Sequence, residues 1–120
     1  MSSKILIVDD STLSRRTLRR ILEASRYEVI EASDGMSALE RYFLEKPNLV
    51  LLDLTMEGMH GLDVLRKLRE MDPKVKAIVS SGYSNDPVMA NYHDYGFVGV
   101  VPKPYNIAEL SNAVHEAING

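Results

Sequence analysis

Four short apolar stretches of the chain run into polar residues. Ile5–Val8 ends in Asp9 and Asp10, Leu49–Leu52 in Asp53, Ala77–Val79 in Ser80 and Ser81, and Phe97–Val101 in Pro102 and Lys103. Three carboxylates, a hydroxyl and an ammonium brought to one place would suit a particular chemistry. Crowded carboxylates repel one another, and a hard divalent cation such as Mg²⁺, held by one or two carboxylates with waters and phosphate oxygens, relieves that repulsion. A carboxylate is also a nucleophile toward phosphorus, forming an acyl phosphate. Phosphoryl transfer then needs mainly positioning and charge neutralisation, which Mg²⁺ and a lysine supply, while a serine hydroxyl donates to a phosphoryl oxygen. Spacing alone leaves open which of the three acids is the nucleophile.

What would bring these residues together is a parallel sheet, because ligands in open α/β sheets bind outside the carboxyl ends of the strands. The apolar runs at 5–8, 49–52 and 77–79 are short, continuous and rich in β-branched residues, the pattern of strands buried on both faces. Tyr27–Ala32 partly alternates and reads as a more exposed, edge-like strand, and Phe97–Val101 as the last strand. Between them lie helical periodicities. The first starts at Ser11 as N-cap, with Leu13, Leu18, Ile21 and Leu22 apolar and Arg15, Arg16, Arg19 and Arg20 between them. Asp34–Gly35 supplies a turn signal; Ala38, Leu39, Tyr42 and Phe43 then mark a helix closed by Pro47, and Leu62, Leu65, Leu68 and Met71 one closed by Asp72–Pro73. Asp86–Pro87 predicts a helix start with a run to about Tyr95, and Ile107, Leu110, Val114, Ala117 and Ile118 form the face of the last helix. Strand–helix alternation repeated about five times predicts a doubly wound α/β domain spanning 1–120.

Composition agrees and excludes alternatives. The chain is 45% hydrophobic and 26% charged, as expected of a packed globular protein. Its net charge of −3 argues against direct nucleic-acid binding, and it has no cysteine for a disulfide, a thiolate metal site or a cysteine nucleophile. No run approaches membrane-spanning length, and no signal-peptide pattern opens the chain, so a cytoplasmic location without membrane insertion is expected. A Gly-rich loop after the first strand, as dinucleotide binding requires, is absent.

The ordered set Ile7–Ser11 (IVDDS), Leu51–Leu54 (LLDL) with Gly61 following, Val79–Gly82 (VSSG) and Lys103–Tyr105 (KPY) closely resembles the response-regulator receiver family of two-component signalling. The resemblance covers nearly the whole chain. It implies a flavodoxin-like (βα)5 fold, with a parallel five-stranded sheet in the order 2-1-3-4-5 and a cis Lys103–Pro104 bond. By position, Asp53 resembles the phosphoacceptor, Ser81 the switch hydroxyl and Lys103 the phosphoryl-contacting cation. Asp9, Asp10, Asp53 and the backbone carbonyl of Thr55 resemble the ligands of Mg²⁺, the expected cofactor. The implied function is a phosphorylation-dependent switch rather than a conventional enzyme. Its phosphodonor would be a histidine kinase or histidine phosphotransfer protein, its target a downstream protein or output domain, and a dimer formed on phosphorylation is compatible with the family.

The chain departs from the family pattern in places. Val100 stands three before the lysine, where many members have an aromatic residue; Glu57 replaces a frequent proline; and Ser80, a rival for the switch hydroxyl, lies where the strand is often apolar. Tyr83, two beyond Ser81, is expected to cover the phosphoryl group and slow its hydrolysis. The arginines on the first helix are read as a solvated face, the alternative being a docking surface for the phosphodonor. His60, His93 and His115 lack metal-ligand spacing. Two rivals remain. A haloacid-dehalogenase-type phosphatase would need an Asp-x-Asp pattern after the first strand, which Asp9–Asp10 lacks, and a pseudo-receiver binding module would not need the full acid and lysine set.

Overall fold

A computed structural model describes residues 2–56, 58, 60–83 and 85–120. Glu57 lies outside them. Five strands alternate with helices: β1 (Lys4–Val8), α1 (Thr12–Ala24), β2 (Glu28–Ala32), α2 (Gly35–Glu45), β3 (Leu49–Asp53), α3 (Gly61–Met71), β4 (Ala77–Ser81), α4 (Pro87–Ala90), a 3-10 turn (Tyr92–Tyr95), β5 (Gly99–Pro102) and α5 (Ile107–Asn119). All neighbouring strands pair in parallel, in the order β2-β1-β3-β4-β5 of the flavodoxin-like fold.

Pleat alternation divides the apolar strand residues between two layers. Ile5, Ile7, Leu49, Leu51, Ile78 and Val101 pack against Leu18 and Leu22 of α1 and Leu110 and Val114 of α5. Their sequence neighbours Leu6, Val8, Val50, Leu52, Ala77 and Val79 pack against Ala38 and Tyr42 of α2, Val64, Leu65 and Leu68 of α3, and Val88 and Met89 of α4. β1, β3 and β4 are therefore apolar on both sides. β2 is the edge strand its alternation predicts, with only Val29 and Ala32 buried.

Caps define the helix ends. Ser11 accepts from the Ser14 N–H, Asn106 from the Glu109 N–H, and Asp34 from the Ser37 N–H, so the Asp34–Gly35 pair starts α2 rather than forming a separate turn. α2 closes at Lys46, left-handed with φ 47°, just before Pro47.

Four apolar assignments and one helix differ from the sequence reading. Leu13 (74% exposed) and Ile107 (66%) stand in the first turns of α1 and α5, at the rim where the sheet has ended, and Phe43 and Met71 also face outward. The helix predicted from 86 to about 95 is broken. α4 covers only four residues, and Asn91, at φ −120° and ψ 38°, separates it from the 3-10 turn. The Asn91 side-chain amide donates to the Pro87 carbonyl at 3.1 Å, beside its own backbone N–H at 3.0 Å, the local competition by which asparagine disfavours helix continuation. Past Val88 and Met89 only Tyr92 packs inward, while Ala90, Asn91, His93 and Asp94 are exposed, so little apolar surface carries the helix through the break.

Candidate functional site

Asp9 follows β1 directly and is almost completely buried. Its backbone N–H continues the ladder to the Ala32 carbonyl at 3.1 Å. One carboxylate oxygen accepts the Ser11 N–H at 2.8 Å, and the other takes the Lys103 ammonium at 2.9 Å. Asp53 ends β3, is 4% exposed, accepts the Thr55 N–H at 3.4 Å and lies 3.7 Å from the Lys103 Nζ. Asp10 is exposed at the mouth, and Asp9, Asp10 and Asp53 each offer an oxygen within 4.8 Å of the others. Three carboxylates gathered at one mouth suit a hard, oxygen-seeking divalent cation such as Mg²⁺ by donor type. Thr55 is exposed two residues beyond Asp53.

The charges act on one another strongly. Burial, then the neighbouring Asp9 charge, pushes the Asp53 carboxyl above the ordinary aspartate range, with Lys103 and the Thr55 N–H pulling the other way. Burial opposes the charged form of Lys103, but its hydrogen bond to Asp9 and the charges of Tyr105, Asp53 and Asp9 outweigh that and hold the ammonium above its usual value. Three acids thus gather around one lysine, two of them within 4 Å of its ammonium.

Ser80 and Ser81 diverge. Ser80 pairs with Asp53 in the β3–β4 ladder and, in phase with Ile78, faces the α1/α5 layer, where its hydroxyl lies 2.9 Å from the Tyr105 hydroxyl. Ser81, fully buried, accepts the Tyr83 N–H at 3.0 Å, which leaves its own proton free to donate. The Ser81 carbonyl receives the Lys103 N–H at 3.0 Å, and the Lys103–Pro104 bond is cis, as expected. Tyr83 is 68% exposed, and Val100 packs against the α2/α3 layer.

The arginines of α1 are not uniformly solvated. Arg15 and Arg19 both bind Glu31 of β2, at 3.0 and 2.6 Å, and Arg15 also donates to the Asp9 carbonyl at 2.6 Å while Arg19 reaches the Val29 carbonyl at 3.2 Å. The solvated-face reading is corrected for these two, and charge reversal there tests the fold rather than docking. Arg16 and Arg20 are exposed. The Arg15–Asp9 contact went unpredicted because arginines at period 3–4 on a helix carry no mark of their partner. Gly61 at the start of α3 approaches the site backbone so closely that an added Cβ would stand 2.7 Å from the Asp53 carbonyl oxygen and 2.9 Å from the Leu54 Cα. The three histidines are exposed and contribute nothing to the described acid cluster; His60 caps α3 through its ring, accepting the Leu62 N–H at 3.2 Å.

Comparison with known proteins gives a consistent result. The family model "Response regulator receiver domain" matches residues 5–115. Sporulation initiation phosphotransferase F of Bacillus subtilis is 32% identical over 114 residues, covering 95% of this chain and 92% of that protein. The chemotaxis protein CheY of Thermotoga maritima is 32% identical over 117 residues, covering 97% and 98%. Among solved structures, the CheY of Borrelia burgdorferi, crystallised with CheX, BeF3 and Mg²⁺, superposes with a TM-score of 0.88 at 26% identity over 95% of this chain and 87% of that one.

Proposed function

Because the chain belongs to the response regulator receiver domain family, whose members are signalling switches rather than conventional enzymes, we propose that residues 1–120 act as one receiver domain that accepts a phosphoryl group on Asp53. The observation that carries this reading is the convergence of Asp9, Asp10 and Asp53 on one another with Lys103 between Asp9 and Asp53. No described helix is long and apolar enough to cross a membrane.

Asp9, Asp10, Asp53 and the Thr55 carbonyl would hold Mg²⁺, which supplies charge neutralisation for the phosphoryl oxygens. The known Mg²⁺ complex of a structural relative supports that assignment. The Asp53 carboxylate attacks phosphorus as the bond to the donor nitrogen or oxygen breaks, leaving an acyl phosphate on Asp53 and the electron pair on the donor. Lys103, already paired to both acids, turns its ammonium to a phosphoryl oxygen. Ser81 donates the proton it keeps while accepting from Tyr83. The donor is a histidine kinase or histidine phosphotransfer protein, and the readout is a changed surface offered to a downstream protein, an output domain or a second copy.

Incubation with Mg²⁺ and a small acyl-phosphate donor, followed by intact mass, is expected to show one added phosphoryl group in the wild type and none in Asp53→Asn. Equal gain by both proteins would sink the assignment. Tyr83, exposed beside Ser81, is taken to shield the acyl phosphate from water, so Tyr83→Ala is expected to shorten its lifetime several-fold. The alternative of donor docking on α1 is tested at Arg16 and Arg20, which are exposed as a solvated face requires. Charge reversal that slows transfer from the protein donor while leaving the small-molecule reaction unchanged would favour docking, and an unchanged rate from both donors the solvated face.

A further inference from the structure

Ser80 and Tyr105 form a largely buried hydroxyl pair that phosphoryl acceptance by itself does not require. A buried hydroxyl left without a partner is costly, so the bond satisfies both groups whatever else it does. Its place in the fold goes beyond that. Ser80 is the cross-strand partner of Asp53, and its carbonyl accepts the Leu54 N–H at 2.9 Å, so Ser80 frames the acid directly. The next carbonyl of β4, that of Ser81, holds the Lys103 N–H at 3.0 Å. Tyr105 packs against the α1/α5 layer two residues beyond Lys103, and its hydroxyl returns to Ser80 Oγ at 2.9 Å. Lys103 is thus anchored to β4 on both sides, by its own N–H to Ser81 and through Tyr105 to Ser80. Its ammonium lies 2.9 Å from Asp9 and 3.7 Å from Asp53. A lysine stem has several rotatable bonds and loses much freedom on being fixed, so holding its backbone from both sides limits how far the ammonium wanders.

From this double anchorage, and resting on the phosphoacceptor reading of Asp53, we infer that Tyr105 is a positioning residue for Lys103, acting through its hydroxyl on Ser80. The bond touches no reacting atom. It ties the segment carrying the cation to the strand residue beside the acid, so that cation and acid share one frame.

The test measures the rate of phosphoryl gain from the small acyl-phosphate donor at saturating Mg²⁺, with thermal unfolding and calorimetric Mg²⁺ affinity as controls. Tyr105→Phe and Ser80→Ala are each expected to slow the reaction about tenfold, the kinetic equivalent of one ordinary hydrogen bond, with Mg²⁺ affinity unchanged. The double variant is expected to be no slower than either single one. Tyr105→Phe is expected to add nothing in a Lys103→Ala background, a result that a merely structural tyrosine would not give. Tyr105→Phe at the wild-type rate, multiplying effects of the two hydroxyl deletions, or an undiminished effect without Lys103 would each overturn the inference. If Tyr105→Phe fails to fold, Ser80→Ala and its Lys103→Ala combination decide alone. A wild type that gains no phosphoryl group overturns the phosphoacceptor reading and this inference with it; one that gains it while Tyr105→Phe keeps pace overturns only the inference.

Discussion

The two flanks of the acid cluster are built differently. On one side α1 runs for 13 residues, is capped by Ser11, buries Leu18 and Leu22, and is bound by Arg15 and Arg19 to Glu31 and to the Asp9 carbonyl. On the other, the chain leaving Ser81 reaches a four-residue helix capped by Asp86, breaks at Asn91, and is held mainly by Val88, Met89 and Phe97. Asp9 and Asp10, which would help hold the metal, lie on the well-tied flank. Asp53 stands between the two, paired with Ser80 of β4, and the Ser81 hydroxyl that would sense a new charge there opens onto the loosely tied flank. Local opening free energies follow such differences in packing and bonding. A new charge at Asp53 is therefore expected to rearrange the α4 side and leave α1 in place.

The largest expected contrast is in hydrogen exchange. Amides of α4 and the 3-10 turn are expected to exchange on the order of a hundredfold faster than those of Leu18–Leu22, since local openings span from near zero to the global stability. Matching protection on both flanks would break the comparison. Next comes stability. Glu31→Ala leaves two guanidinium groups facing each other and is expected to lower the unfolding free energy by about 2 kcal/mol in urea titration, below the figure for fully buried pairs because Glu31 is partly exposed. Asp86→Ala, the corresponding anchor on the other flank, is expected to cost about 1 kcal/mol.

The same network gives a pH signature. Burial raises the Glu31 carboxyl, but Arg19 and Arg15 together bring it below the ordinary glutamate value of 4.5. A carboxyl whose folded pKa is depressed binds fewer protons when folded, so its stabilisation is complete above 4.5 and is lost as pH falls through the lower folded value. The stability gap between wild type and Arg19→Ala is expected to be widest at neutral pH and to narrow in that acid window. A gap independent of pH would remove Glu31 from the account. The smallest effect sharpens the contrast from the weak side. Asn91→Ala, which removes the competing amide, is expected to add about 0.5 kcal/mol and some helical circular dichroism as α4 extends toward the 3-10 turn.

Legibility in the sequence followed the same division. Apolar runs that stop at Asp9, Asp53 and the Ser80–Ser81 pair are visible because strand burial and strand ends are written in consecutive residues, and these runs suffice for the alternation and the rim. The bond from Arg15 and Arg19 to Glu31 is not written locally. It exists because β2 lies next to β1, an arrangement that the family resemblance, rather than residue spacing, suggested. Likewise Ser80 stood out as a polar residue in an apolar strand, but its partner Tyr105 lies on a different strand's exit, and only the β4–β5 pairing brings the two together. The break at Asn91 was hidden by a good helix start at Asp86–Pro87, which says nothing of where a helix stops.

Gly61 limits how this sequence can drift. With the Asp53 carbonyl oxygen and the Leu54 Cα both within 3 Å of where a side chain would begin, the obstruction is backbone, which cannot rotate aside as a flexible side chain would. In a library of all single substitutions selected for phosphoryl acceptance, the column for position 61 is expected to be nearly empty, whereas exposed Arg16 and Arg20 would accept most residues when a small-molecule donor is used. The neighbourhood of Asp53 is thus guarded by a residue that touches no ligand and bears no functional group. A lineage that lost it would have to rebuild the β3–α3 connection before it could recover the site.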